Sequence, residues 1–163
     1  MTATAVKTGA ADGKHLTFRL AQEEYGVEIM KVREIVGLMS ITSVPQSSGH
    51  MRGVMNLRGK IIPVLDVRRK FGMPDIELSK ENCIITCMVK GRDSGVLVGL
   101  LVDSVSEVIQ LKAEDVDAMP DLADMRVDFV PGVVKSKGRV IILLDIDKVV
   151  QGNDLEQIAK MTV

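Results

Sequence analysis

Few side chains in this sequence are equipped for covalent or metal chemistry, and their spacing removes most of what they could do. Cys83 and Cys87 stand four residues apart in Asn82-Cys83-Ile84-Ile85-Thr86-Cys87-Met88-Val89. This β-branched run reads as a strand, so both thiols point to one face. Four strand positions span about 13 Å, too far for a mutual disulfide. His15 and His50 are the only histidines, so no zinc-ligand set assembles. Reduced thiols in a core are expected. Asp66 and Asp145 invite comparison with a pair of catalytic carboxylates. Each closes an apolar run just before a short helical stretch, so both read as helix caps. No Gly-rich phosphate loop, Gly-x-Ser-x-Gly elbow or His-Glu-x-x-His occurs. The expectation is a protein without catalysis, cofactor or metal, acting through its surfaces.

The candidates for recognition lie on a turn and a strand. Asn56-Leu57-Arg58-Gly59 places a planar guanidinium beside an apolar residue at a hairpin tip, which suits partner binding. Val32-Arg33-Glu34-Ile35 offers apolar and acidic groups together. An equally good reading of Arg58 and Glu34 is a surface ion pair of little energetic value.

The elements that must position these residues occur twice. Gly53 to Val67 aligns with Gly132 to Ile146 at a constant spacing of 79. Gly26 to Val36 echoes Gly99 to Ile109 at 73, and Ser43-Val44-Pro45 echoes Ala118-Met119-Pro120 at 75. One supersecondary unit is therefore used twice, and functional asymmetry must lie where the copies differ. Arg58-Gly59 and Lys137-Gly138 read as matched hairpin turns. The unbroken apolar runs Ile61–Leu65 and Val140–Leu144 suit strands covered on both faces, as in a small closed barrel. Leu16–Leu20 and Tyr25–Ile29 alternate as strands, with a turn read at Glu23-Glu24. Pro45–His50 reads as a short helical turn, and the polar stretch Gly72–Lys80 as a linker.

Composition bounds the partners. A chain of 163 residues with 46% hydrophobic content can bury a real core. A net charge of −1 and 2% aromatics leave neither a basic stripe nor stacking platforms for nucleic acid. No apolar run is long enough to span a membrane, and Met1–Gly13 lacks the apolar stretch of a secretion signal. A cytoplasmic protein without membrane insertion is expected.

Four segments carry a family resemblance. They are Glu24-Tyr25-Gly26-Val27-Glu28-Ile29-Met30-Lys31-Val32-Arg33-Glu34-Ile35, Arg52-Gly53-Val54-Met55-Asn56-Leu57-Arg58-Gly59-Lys60-Ile61-Ile62-Pro63-Val64-Leu65-Asp66-Val67-Arg68, Val98–Val108 and Ile142–Lys148. In order and together they resemble the CheW-type chemotaxis coupling proteins over residues 15–150. The resemblance implies an all-β fold with short helices: two intertwined five-stranded SH3-like barrels related by a pseudo-two-fold. The expected layout is a disordered tail over 1–14, two interleaved barrels over 15–150 exchanging near 72–82, and a C-terminal helix or tail over 151–163. It further implies an adaptor, not an enzyme, that links chemoreceptors to the histidine kinase CheA in membrane-associated arrays.

The sites follow from the same resemblance. The tip of the receptor's cytoplasmic helical hairpin is expected in a groove between the barrels, on Val32, Glu34, Arg58, Val105 and Val108. The regulatory domain of CheA is expected on Asp117, Met119, Asp121 and Leu122, mainly on the second barrel. Asp117 stands where relatives carry a basic residue, which implies a locally more basic kinase surface.

Overall fold

The computed structural model describes residues 13–45, 49–91, 94–118, 128–150 and 153–161. They form two compact units that share the chain unequally. Residues up to Lys31 and Val105–Val149 make the first; Val32–Ser104 and residues from Val150 make the second.

In the first unit, β1 (Gly13–Leu20) and β2 (Glu23–Glu28) form an antiparallel hairpin. Its turn is Ala21-Gln22, because Leu20 pairs with Glu23; Glu23 and Glu24 belong to the strand, not to the turn expected there. The strands that complete this unit come from the far half of the chain: β8 (Ser104–Leu111), β9 (Val116–Asp117), β10 (Gly132–Ser136) and β11 (Arg139–Leu143). The order is β8-β1-β2-β11-β10-β9, with β11 parallel to β2. Leu111, Val116, Val134, Ile141 and Leu143 form a core cluster. Phe18 stacks on Tyr25 across the hairpin with ring centroids 5.7 Å apart.

The second unit holds β3 (Val32–Gly37), β4 (Met51–Leu57), β5 (Lys60–Asp66), β6 (Cys83–Lys90) and β7 (Gly95–Val102). Their order is β3-β6-β7-β5-β4, with β5 parallel to β7. Met55, Ile62, Val64, Ile84 and Leu101 form its core cluster.

Strand register reproduces the repeat pair by pair. Leu57↔Lys60 through Gly53↔Val64 in one hairpin become Ser136↔Arg139 through Gly132↔Leu143 in the other. Every partner is 79 residues further on. The parallel contact Val64↔Gly99 becomes Leu143↔Gly26, and the bridge Thr42↔Val54 becomes Asp117↔Val133. The spacings of 73 and 75 thus relate the segments that flank the two hairpins on either side. The expected all-β fold class with short helices is the one observed. The first sheet counts six strands because the match to Thr42's lone bridge is there long enough to form β9.

The exchange expected near 72–82 is elsewhere. Those residues lie inside the second unit, and the chain crosses after Lys31, Ser104 and Val149. Each crossing runs through uninterrupted chain, so no Gly- or Pro-rich signal marks it. The turn-rich stretch marks only where the copies differ in length. The strands β3 and β8 occupy matching edge places, β3 on β6 and β8 on β1, and each unit joins a hairpin of one copy, β1–β2 or β6–β7, to the remaining strands of the other. Strand β1 begins at Gly13, inside the tail expected over 1–14.

Asp66 and Asp145 cap helices, as read. Asp66 accepts from the Arg69 N–H at 3.3 Å to open α1 (Val67–Lys70), and Asp145 accepts from the Asp147 N–H at 3.1 Å before α2 (Ile146–Val149). The C-terminal helix is α3 (Asn153–Met161). Its Ile158 is buried while Ala159 is exposed. Its buried Asp154 receives Lys70 Nζ at 2.8 Å and lies 3.2 Å from His50 Nδ1, which ties the helix to the second unit. Cys87 is buried as expected, but Cys83 at the strand's start is only partly covered.

Gly53 shows why glycine is needed at one repeat position. It follows a register shift after Met51, adopts φ +146°, and a Cβ there would lie 2.1 Å from the Thr42 carbonyl oxygen.

Candidate functional site

The β4–β5 hairpin presents Arg58. Its two-residue turn, Arg58-Gly59, has φ +53° and +87°, the paired left-handed geometry that matches strand twist. Glycine tolerates this at no cost; arginine does not. Asn56 Oδ1 accepts the Gly59 N–H at 2.8 Å and braces the turn. Leu57, odd for a solvated loop, is half-buried and packs on the core cluster of its unit. Its apolarity therefore serves packing.

Glu34 comes from β3. Val32 pairs with Cys87 and Glu34 with Thr86, so Arg33 is an extra residue and the strand bulges there. Beyond the bulge burial alternates, leaving Glu34 half-covered and Ile35 43% exposed. The Arg58 Nη2 donates to Glu34 Oε1. The ion pair read from the sequence therefore exists. With Arg58 68% exposed, water screens it, and it contributes little to folding, about 1 kcal/mol at most. Lys137 in the matching turn adopts the same conformation, φ +51°, so the strain belongs to the turn type shared by both copies. Ile61, 47% exposed, adds apolar surface to the same unit.

On the first unit, β8 carries Val105, half-buried, and Val108, 51% exposed. Val105 is the repeat match of Val32, and Val108 of Ile35. The residues Val32, Glu34, Val105 and Val108 thus fall on matching edge strands of the two sheets. Between the valines stands Glu107, the match of Glu34, which the sequence reading did not single out. Arg139 reaches Glu107 at 3.4 Å and buried Glu24 at 2.7 Å. The Glu24 contact is one of charge with charge, since neither of its carboxylate oxygens has a hydrogen-bond partner of good geometry. In the second unit the matching positions are Leu97 and Lys60, so this buried acid belongs to one copy alone. That substitution between copies is the signal that would have found it.

Asp117 is exposed on β9. Met119, Asp121 and Leu122 lie outside the described residues, as do residues 46–48 of the turn read at Pro45–His50. Val134, in the same half, belongs to the core.

Other charges serve the scaffold. Asp147 hydrogen-bonds Lys31 at 2.7 Å and raises that ammonium above its ordinary value; Asp103 does the same for the Arg68 guanidinium. A small cavity lined by Arg52, Asp66, Arg68 and Asp103 has these four side chains paired with one another. Among the described residues no cluster of three metal-ligating side chains occurs, and no helix is long and apolar enough to cross a membrane.

A duplicated, strand-exchanged pair of β units that displays an ion pair and aliphatic side chains has the surface of a binding module. Comparison with known proteins makes the class specific. The CheW-like domain family matches residues 14–154. The chain is 37% identical to the chemotaxis protein CheW of Rhizobium meliloti, covering 88% of this chain and 96% of the relative. It is 34% identical to the chemotaxis protein CheW of Klebsiella aerogenes, over 86% and 82%. Among solved structures it resembles the scaffolding protein TtCheW of Thermoanaerobacter tengcongensis, with a TM-score of 0.76, 34% identity, and coverage of 88% and 95%. The chain belongs to the CheW-like family.

Proposed function

We propose that this chain is a non-catalytic adaptor that couples chemoreceptors to the histidine kinase CheA, from the cytoplasm, within membrane-associated receptor arrays. The observation that carries the reading is family membership over residues 14–154 combined with an exposed Arg58–Glu34 pair that adds little to folding. Receptor recognition falls to Val32, Glu34 and Arg58 of the second unit and to Val105 and Val108 of the first. A receptor presents a helical hairpin tip. Aliphatic side chains bury its apolar ridge, and the guanidinium and carboxylate fix its register.

Kinase recognition falls to the stretch Asp117, Met119, Asp121 and Leu122, away from the Arg58 turn in sequence and on the other repeat. Apolar area comes from Met119 and Leu122. Asp117 and Asp121 select a basic face on the regulatory domain of CheA. Interfaces of this modest size give affinities on the order of micromolar.

Leu122→Asp tests the division. Titrated separately against the CheA regulatory domain and a soluble receptor hairpin fragment, the variant is expected to lose at least tenfold in kinase affinity and keep receptor affinity within twofold. Unchanged kinase affinity would move that contact to another surface.

A further inference from the structure

We infer that Thr86, a residue with no solvent exposure, is a positioning residue for partner recognition, acting through Glu34. The inference rests on the reading of Glu34 as part of the receptor-binding surface.

Thr86 sits on β6 opposite the bulge in β3. Its hydroxyl donates to the Glu34 carbonyl oxygen at 3.0 Å and accepts from the Glu34 N–H at 3.0 Å. Both main-chain polar groups of one residue are thus satisfied by a single side-chain oxygen. A bulge breaks the ladder at this point, and without the hydroxyl the neighbouring groups of Glu34 would lack these two partners. Satisfying both fixes the peptide planes on either side of the Glu34 Cα. The direction of Cβ follows, and with it the arc in which the carboxylate meets Arg58. Threonine suits the task twice over: its branched Cβ restricts χ1, and its methyl group fills core space.

Repetition supports a device rather than an accident. In the first unit the Thr17 hydroxyl donates to the Glu107 carbonyl oxygen at 3.0 Å and accepts from the Glu107 N–H at 3.1 Å. Each copy therefore uses a fully buried threonine to hold the main chain of a glutamate that meets an arginine. The arginines stand at different repeat positions, Arg58 matching Lys137 and Arg139 matching Lys60, and they differ in what they do. Arg139 is divided between Glu107 and buried Glu24, whereas Arg58 is largely exposed and reaches Glu34 from a turn. Both pairs reach solvent, Arg139 and Glu107 being 43% and 39% exposed, but in the second unit the arginine is 68% exposed and is not shared with a buried acid, so there the threonine's control of glutamate direction bears on a partner.

The test compares Thr86→Val, Thr86→Ser, Glu34→Ala and the double variant Thr86→Val/Glu34→Ala. The probe is a soluble fragment containing the cytoplasmic hairpin tip of a chemoreceptor from the same organism, titrated well below the unfolding transition. Thr86→Val keeps the shape and removes the hydroxyl; it is expected to weaken binding about fivefold or more. Thr86→Ser keeps the hydroxyl and is expected to stay within about twofold of the unaltered chain. The double variant is expected to bind no more weakly than Glu34→Ala alone, a pattern that a general loss of stability would not produce. Unaltered binding by folded Thr86→Val, while Glu34→Ala binds weakly, overturns the inference and leaves the receptor reading standing. An equal additional loss in the Glu34→Ala background also overturns it, because the effect would then bypass Glu34. Glu34→Ala binding like the unaltered chain overturns the receptor reading and this inference with it. If Thr86→Val does not fold, Thr86→Cys replaces it with the same expected outcomes, since a thiol keeps the volume but hydrogen-bonds weakly.

Discussion

Ile141→Ala is expected to cost about 2–5 kcal/mol of unfolding free energy, and Ile62→Ala a similar amount. The two isoleucines are repeat partners at matching registers of β11 and β5, paired with Val134 and Met55 respectively. Both are essentially without solvent exposure, and each belongs to the core cluster of its own unit. Truncation removes transfer energy and leaves a void that neighbouring branched side chains on a fixed sheet fill poorly. Their chain neighbours provide the control. Val140 and Ile61 point the other way and are 53% and 47% exposed. Val140→Ala and Ile61→Ala are expected to stay within about 0.5 kcal/mol. Urea unfolding of all four variants checks this; a cost below about 1 kcal/mol at Ile141 would mean that the duplicated hairpin is not the centre of its core.

The second large effect falls on binding. Arg58→Ala is expected to weaken the receptor fragment's binding at least tenfold while the unfolding free energy stays within about 0.5 kcal/mol. The separation follows from exposure. An ion pair with one partner 68% exposed holds little folding energy, yet a guanidinium on a short turn is preorganised for a partner's polar groups. The substitution even leaves the backbone cost in place, because alanine is no better suited than arginine to φ +53°. Equal losses of stability and binding would make Arg58 structural and remove it from the site.

The repeat was the most legible feature of the sequence, because register is a property of residue order. Residues 79, 73 and 75 apart in matching motifs take equivalent places in the two strand ladders. Caps and hairpin turns were legible because Asp and Gly have few other reasons to stand there. The β1–β2 turn was not, since Ala21 adopts φ +56° without glycine or asparagine to announce it. The crossings were hidden for a related reason. Two of the crossings follow short helical turns, Ile29–Lys31 and Ile146–Val149, whose residues carry no breaker, so the visible punctuation at 72–82 pointed to the wrong place. Glu34 and Arg58 were legible as candidates, and their contact was an open alternative that the hairpin geometry decided. Thr86 was invisible among β-branched strand residues, for its role depends on which residue lies opposite a bulge, and no local pattern encodes that. Glu24 was visible only as a difference between copies, where Leu97 occupies the matching place.

The central claim is that one chain holds two partners at once through separate surfaces. The direct measurement is the affinity of the chain for the receptor hairpin fragment, first alone and then saturated with the CheA regulatory domain. The account predicts dissociation constants within about threefold of each other and a ternary complex in sedimentation. Competition, in which saturation with the kinase domain abolishes receptor binding, would contradict it.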